Sequence, residues 1–518
     1  MARINTNVAS VIAQANLSKS QSDLQLHLER LSTGLKINRG SDDPAGLIIS
    51  ERIRSDIEGI NQGIANSSRA SSVISTTESS LSEVNDLLNS IRSLIVQSAS
   101  AGATADAEPA ANQLQVDSAI DSIARSSHTA TFGGLKLLNG SLDYNVSGID
   151  SSEITNARVN NASFVSASKL QVNIDIIASA QVGALYFQGS TSPPGITQSA
   201  LTLEVKGLDG VETIQISSGQ SLNAIVQGVN NTTSLTGVRA KLVNNNVNSG
   251  IVFESTGYGS KSFVSVKRLG GPPAATDSFR TYKFANDAAV PSGSPFAWAS
   301  YVSSGRLVSG DRDEGKDVSA LVNGNLATGD GLNVTTNSPS LGLNLTLSAA
   351  TATDPTSTPA SFFITGGGAL FQLGPDVNAL QQSTIGIQSV AASQLGGTFN
   401  GSTVEYLNSL KSGQSNSVAS SVKNSNFKPA SDILATAIDQ ITLLRGRLGA
   451  FEKNVLQTNT RSLQSQFENL TASNSAIRDA DFAAESSALT RAQILSSAGT
   501  STLALANQQS QQVLQLLG

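Results

Sequence analysis

VASVIAQANLSKSQSDLQLHLERLSTGLKIN (residues 8–38) carries its apolar side chains at helical spacing. Ile4, Val8, Val11 and Ala15 step by 4, 3 and 4; after a shift of phase, Leu17, Leu24, Leu28, Leu31 and Leu35 step by 7, 4, 3 and 4. Alternating steps of 3 and 4 lay one narrow apolar seam along a helix, as in a coiled coil. The opposite end repeats the pattern with Leu489, Ala492, Leu495 and Ala498 and, beyond a break expected at Gly499, Leu503, Ala506, Val513 and Leu517. Such a seam can close on a core helix of its own chain or on another chain. Spacing alone leaves both open.

The chain has 518 residues, enough for several domains. Charged residues make up 14% and the formal net charge is −6, without the clustered Lys and Arg of a nucleic-acid footprint. Cysteine is absent, which excludes disulfides and thiolate metal sites. MARINTNVAS lacks the charged-then-apolar layout of a secretory signal, and no apolar run is long enough to span a bilayer. The expectation is a cytoplasmic protein, or one exported by a route that reads no cleaved signal peptide. Residues 1–131 contain no aromatic side chain, and most prolines fall between Pro193 and Pro375. That distribution predicts helical ends around a β-rich middle.

Asp42 or Asp43 is placed to cap a helix that starts at Pro44. Ile53, Ile57, Ile60 and Ile64 open its stripe, which continues with Ser, Asn and charged residues to about residue 101. A second helix is expected over 110–127, with Leu114, Asp117, Ile120 and Ala124 on one face. In TFGGLKLLNGS (residues 131–141) a glycine turn and short strand are expected, with Asn139-Gly140 as the hairpin signal. From about residue 145 the period drops to two: Leu170, Val172, Ile174, Ile176; Leu201, Leu203, Val205; Ile214, Ile216; Leu341, Leu343, Leu345, Leu347. A helix over 221–231 and strands at 250–255 and 263–267 complete a β-β-α-β-β unit over 200–268. Gly270 to Pro273 reads as a linker and Gly366-Gly367-Gly368 as a turn. After Pro429, Leu434, Ala437, Ile441, Leu444, Leu448, Phe451, Val455 and Thr458 step by 3 and 4 without a fault, the strongest coiled-coil signal in the chain.

Catalytic chemistry finds little footing. His27 and His128 are the only histidines, which rules out HExxH. Gly310 to Lys316 fits GxxxxGK, but Asp317 stands where a magnesium-binding Ser or Thr belongs, and Asp311, Asp313 and Glu314 would repel phosphate. A calcium loop fails at Val322, where the frame needs Glu. A solvated acidic loop is the remaining reading. No catalytic, cofactor or metal residue is assigned, and no enzyme activity is expected.

Residues 30–100, opening RLSTGLKINRGSDDPAGLIISERIRSDIEGINQG, closely resemble the N-terminal region of bacterial flagellin. ADFAAESSALTRAQILSSAGTSTLALANQQSQQVLQLLG (residues 480–518) resembles its C-terminal region, and STGYGSKSFVSV (residues 255–266) is similar to a repeat inserted in flagellins and hook-associated proteins. The resemblance implies an α+β multidomain chain. Terminal coiled-coil tails (1–42 and 480–518) form an inner tube, helical segments (43–145 and 401–479) an inner domain, and 146–400 a β-rich outer insert. It implies self-assembly into the flagellar filament, with Val8, Val11, Leu17, Leu24, Leu28, Leu31, Leu35, Leu489, Leu495, Leu503, Val513 and Leu517 as the assembly seam. The inner-domain coiled coil would use Ile53, Ile57, Ile60, Ile64, Leu434, Ile441, Leu444, Leu448, Phe451 and Val455.

Partners implied by the resemblance are further copies, hook-associated junction and cap proteins, and an export chaperone. The chaperone would hold Val513, Leu514, Leu516 and Leu517, an apolar set suited to a groove. Toll-like receptor 5 would contact Leu88, Asn89, Ser90, Arg92 and Leu94, but Ser90 stands where strongly sensed flagellins carry Arg, so weak signalling is expected. A hook–filament junction protein and a displayed adhesin-type flagellin are the alternative readings. Because each tail is too sparse in apolar residues to offset the entropy of ordering it alone, the tails are expected to fold only when subunits pack. Spectra of the free monomer test this: sharp tail amides with helical shifts would refute it.

Overall fold

The computed structural model describes residues 6–100, 107–164, 169–190, 194–270, 280–285, 296–338, 340–355, 359–399 and 403–517, with backbone only at 107, 510, 511 and 513–517. It forms two compact units, Met1–Ile74 with Phe371–Gln382 and Gly449–Gly518, and Ser75–Leu370 with Ser383–Leu448.

In the first unit, α1 (Val8–Thr33) is capped by the Asn7 side chain, which accepts from Ser10 N. It ends at Gly34, whose φ of 72° is left-handed, the conformation a glycine adopts without a Cβ clash. The long α2 (Pro44–Ala99) begins here; Asp43 Oδ1 accepts from Gly46 N at 2.9 Å and Pro44 occupies the first turn. Beyond a π-helical turn (Glu452–Leu456), the C-terminal arm continues as α10 (Gln457–Arg478) and α11 (Phe482–Leu517). Asp481 Oδ1 caps α11 by accepting from Ala483 N and Ala484 N.

Two expectations are corrected here. The 3-and-4 rhythm does not run unbroken to Thr458. The π turn inserts one extra residue per turn, so burial passes from Val455 to Leu456 and then Leu463, and Thr458 is exposed. Nor does Gly499 break its helix: it is helical, and a Cβ there would lie 3.2 Å from Leu17 Cδ1.

In the second unit, α3 (Ala107–Thr129) buries Val116, Ala119, Ile120 and Ile123, leaving Leu114 70% exposed. Ile120 of the expected face is buried, but the rest of that face lies one residue out of phase, with Val116 and Ile123 buried in place of Asp117 and Ala124. A hairpin, β1 (Thr131–Phe132) and β2 (Leu135–Lys136), turns at Gly133-Gly134 with φ of 57° and 86°. Asn139-Gly140 is a separate turn in which Asn139 Oδ1 accepts from Ser141 N, so the hairpin lies upstream of the expected place.

Then β3 (Tyr144–Ser147), β4 (Ile154–Ala162) and β5 (Leu170–Ala178) leave one lobe unfinished. The chain departs into a second lobe: β6 (Ala184–Phe187), β7 (Leu201–Lys206), β8 (Val211–Ile216), α4 (Leu222–Asn231), α5 (Thr233–Thr236), β9 (Val238–Leu242), β10 (Ile251–Ser255), β11 (Phe263–Gly270), β12 (Thr281–Phe284), α6 (Trp298–Ser303), β13 (Leu307–Ser309) and β14 (Arg312–Glu314). It returns to complete the first lobe with β15 (Ser319–Val322), β16 (Asn325–Leu326), β17 (Thr328–Asp330), β18 (Asn333–Asn337), β19 (Leu341–Leu347), α7 (Ala349–Thr353) and β20 (Ala360–Gly367).

The first lobe is a sandwich of two antiparallel sheets, β16-β15-β5-β20-β3 and β17-β18-β19-β4. Val172, Ile174 and Phe362 from one sheet meet Val159, Leu343 and Leu345 from the other. Each strand presents alternate residues inward, which is why the period-two runs were legible. The second lobe has sheets β13-β12-β6-β10-β9 and β14-β11-β7-β8, with Leu222, Ile225 and Val229 of α4 sealing its core. The β-β-α-β-β unit thus gains a strand, β9, paired with β10. Its VRAKL buries only Val238 and Ala240 and points Arg239 and Lys241 outward, a signal too short to read by period. The expected acidic loop is instead β14, paired with β11, with Asp313 half-buried. Beyond Gly270, which ends β11, the linker expected at Gly271 to Pro273 lies outside the described residues.

The second lobe enters and leaves at one point: Gln181 and Lys316 exchange both backbone hydrogen bonds at 2.9 Å. Beside them Asp317 Oδ1 accepts from Ser260 N of the second lobe at 3.0 Å and from Gly331 N of the sandwich at 2.7 Å. The unit ends with α8 (Val418–Lys423) and α9 (Lys428–Phe451), which buries Leu434, Ala437, Ile441, Leu444 and Leu448.

Because the two crossing points are adjacent, replacing residues 184–314 by a short Asn-Gly turn should leave the sandwich folded. Cooperative denaturant unfolding with retained β-sheet circular dichroism checks this, and loss of that transition would refute it. Leu343→Ala, at a fully buried site, should destabilise the sandwich by about 2–5 kcal/mol in the same assay.

Candidate assembly surface

The two chain ends lie antiparallel against each other. Asn7 Nδ2 donates to Ala506 O at 2.9 Å, Ser10 Oγ to Asn507 Oδ1 at 2.8 Å, and Arg30 Nη1 to Glu485 Oε1 at 3.2 Å. His27 Nδ1 lies 2.5 Å from Glu485 Oε2. Past the helix ends, Ala480 N donates to Gly34 O and Lys36 N to Arg478 O, a short antiparallel bridge that fixes register. Arg478 Nη1 reaches Glu51 Oε1 at 2.9 Å.

Between these contacts the covered face of α1 is Ser10, Ala13, Leu17, Ser20, Leu24, His27 and Leu31, and that of α11 is Glu485, Leu489, Ala492, Ser496, Gly499, Leu503 and Ala506. Both step by 3 and 4. Small residues alternate with large ones, and at Gly499 a side chain would press on Leu17. The phase shift read in the sequence now has a structural meaning. Val8 (55% exposed) and Val11 (64%) lie on a different face from Leu17, Leu24 and Leu31, and Leu28 (47%) lies at the edge of theirs. On α11, Leu495 is 52% and Ile494 63% exposed, whereas Leu489 and Leu503 are covered. The pairing thus gathers Leu17, Leu24, Leu31, Leu35, Leu489 and Leu503 and leaves Val8, Val11, Leu28 and Leu495 outward. Sequence reasoning missed Ser10, Ser20, Ser496 and Gly499, because small polar residues do not register in an apolar stripe.

Lower in the first unit, Ile60 is buried and Ile53, Ile57 and Ile64 are half-buried. Ser71 Oγ donates to Glu452 Oε1 at 2.5 Å and Asn459 Nδ2 to Ser67 Oγ at 3.3 Å, so polar bonds stitch this part of α2 to the π turn and α10. Phe451 and Val455 are half-buried. In the second unit Leu434, Ile441, Leu444 and Leu448 are buried, and Arg445 Nη2 lies 3.4 Å from Glu78 Oε1. Of the receptor stretch, Leu88 is buried, Leu94 half-buried, and Asn89, Ser90 and Arg92 exposed. Val513, Leu514, Leu516 and Leu517 lie on the helical backbone of α11, and their side chains are outside the described residues. Among the described residues no cluster of metal-ligating side chains occurs, and no helix is long and apolar enough to cross a membrane.

Terminal helices folded on each other, with a second apolar face left open on both and β lobes between them, define a structural, assembling protein. Residues 4–143 match the profile of the bacterial flagellin N-terminal helical region, 431–517 that of the C-terminal helical region, and 202–257 the flagellin hook IN motif. The chain is 30% identical to flagellin of Escherichia coli (strain K12) over 540 positions, covering 99% of both chains. It is 28% identical to B-type flagellin of Pseudomonas aeruginosa (strain PAO1) over 553 positions, again 99% of both. Among solved structures, the D2-D3 domains of the flagellar cap protein FliD from Escherichia coli align with 42% of this chain and 97% of that one, at a TM-score of 0.26 and 17% identity. The chain belongs to the flagellin family, whose members are extracellular structural subunits of the flagellar filament and not enzymes.

The Glu485 cluster makes the pairing of the ends acid-sensitive. Desolvation alone would raise the Glu485 carboxyl, but hydrogen bonds from His27 and Arg30, with their charges, outweigh it and hold it below its ordinary value. A depressed carboxyl stabilises the folded pairing above its unfolded pKa of about 4.3 and loses that contribution as pH falls through the folded value. Glu485→Gln should remove the part of the acid dependence that develops below about pH 4.3. An interhelix spin-label distance followed against pH reads this out; an unchanged acid profile would count against it.

Proposed function

We propose that the outward faces of α1 and α11 are the surfaces through which successive copies pack into the filament. Val8, Val11 and Ile12 on α1 and Ile494, Leu495 and Leu505 on α11 are all more than half exposed, and this observation carries the reading. Apolar residues repeated at helical spacing and left in water are unfavourable in a lone chain and favourable once another helix covers them. In this reading the tails hold poorly in a free monomer, since the leucines of their mutual seam are only half-buried, and order fully when copies meet.

The same reading supplies the remaining partners. Before export a chaperone takes the last turn of α11, Val513, Leu514, Leu516 and Leu517, and transport proceeds without a cleaved signal. Junction and cap proteins meet the filament ends through the same tail surfaces. Toll-like receptor 5 would engage the long α2 weakly, because exposed Ser90 and Asn89 offer no bidentate cation beside Arg92.

Purified chain added to short filament seeds should elongate them. Val11→Asp combined with Leu495→Asp should abolish elongation while leaving the circular dichroism of the β lobes unchanged. Normal elongation by the double variant would overturn the assignment of these faces.

A further inference from the structure

In the second unit, two arginines from different elements meet on the outer side of the sandwich. Arg158 and Asn160 flank buried Val159 on β4, so alternation carries both side chains off the face opposite the core. Arg447 of α9 donates through Nη1 to Asn160 Oδ1. The segment 386–394 closes the third side: Gly386 N donates to Asn160 O at 3.0 Å, and Arg158 Nη1 and Nη2 reach Gln388 Oε1 at 3.4 Å and Gln394 O at 3.5 Å. Arg158, Gln388 and Arg447 are each half-buried.

These bonds leave the cluster short of negative charge. The acceptors are neutral amide oxygens, and neither guanidinium forms an ion pair among the described residues. The carboxylate whose charge reaches both is Asp143, which accepts from Tyr144 N at 2.8 Å. Even with Asp143 ionised, two positive charges face one negative. Burial and then the like charge of Arg158 bring Arg447 down to about 10, so it is still cationic at neutral pH. Burial lowers Arg158 as well. Like charges withdrawn from water are costly unless an opposite charge sits with them. Two donors are also left over. Arg447 Nε and Gln388 Nε2 are buried and have no hydrogen-bond partner among the described residues. Because Gln388 Oε1 accepts from Arg158, its amide cannot turn to offer oxygen in place of Nε2 without losing that bond.

Buried donors without partners call for an acceptor from outside the chain, and an uncompensated positive charge beside them calls for that acceptor to be an anion. An excess of one charge matches a monovalent ion. A halide is spherical and accepts from any direction, which suits donors arriving from a helix and from an irregular segment. A water molecule would satisfy the donors and leave the charge. We propose that Arg158, Arg447 and Gln388 bind a chloride ion, which fastens α9 to β4. The site belongs to the second unit alone and does not rest on the assembly faces.

Urea unfolding of the full chain, followed by the β-sheet signal in sodium chloride against sodium gluconate at constant ionic strength, tests the proposal. The chlorine NMR linewidth of the same samples gives a second reading that does not depend on stability. In wild type the urea midpoint should rise saturably with chloride, as for any ligand of the folded state, and the protein should broaden the chloride line. Bromide should substitute for chloride in the unfolding assay. Arg447→Gln and, separately, Arg158→Gln should lose the chloride-dependent shift and the excess broadening. Arg125→Gln, at an exposed position of α3, should keep both. No saturable chloride effect in wild type, the same effect in wild type and both cluster variants, or its loss in Arg125→Gln would overturn the site.

Discussion

The antiparallel pairing of α1 with α11 is the contact on which the first unit depends. It ties together two ends of the chain that have no local reason to meet, and it does so by alternating small side chains with leucines. Ala13, Ser20, Ala492 and Gly499 let the backbones approach, and the polar contacts at Asn7, Ser10 and Glu485 set the register. A seam of this kind contributes close packing and little apolar burial. Val8, Val11, Ile12 and Leu495 point the other way.

The β lobes obey a different constraint, that of closing a sheet core from distant pieces of chain. β4 pairs with β19 and β5 with β15 and β20, so the sandwich cannot close until the whole second lobe has been threaded. The reciprocal bonds of Gln181 with Lys316, and the Asp317 carboxylate shared by Ser260 and Gly331, hold that crossing together. Such an arrangement lets a lobe be present or absent without disturbing the strands around it, because its two ends meet.

Comparing sequence with structure, the long regular elements were legible. The period-two run of Leu341 to Leu347 became β19, and the period-3.5 run from Leu434 to Leu448 became the buried face of α9. What failed was phase and partnership. A single π residue moved the stripe from Val455 to Leu456; Gly499, which locally reads as a helix breaker, is accepted because Leu17 packs against it. Strand β9 escaped notice because two of its five residues are charged and face outward beside Glu254.

The sequence by itself determined the helical ends, the β-rich middle, a cap at Asp42 or Asp43 before Pro44 and, through blocks at both termini, the family. These are properties of local spacing and composition, which need no knowledge of what lies across a contact. Tertiary structure alone decided which face of each tail is covered by the other and which is left open. It also decided that strands before residue 180 complete a sheet with strands after 318, and that Arg158, Gln388 and Arg447 converge on one cluster. The reason is physical: pairing, register and convergence depend on residues far apart in the chain, and no periodicity along one segment encodes its partner.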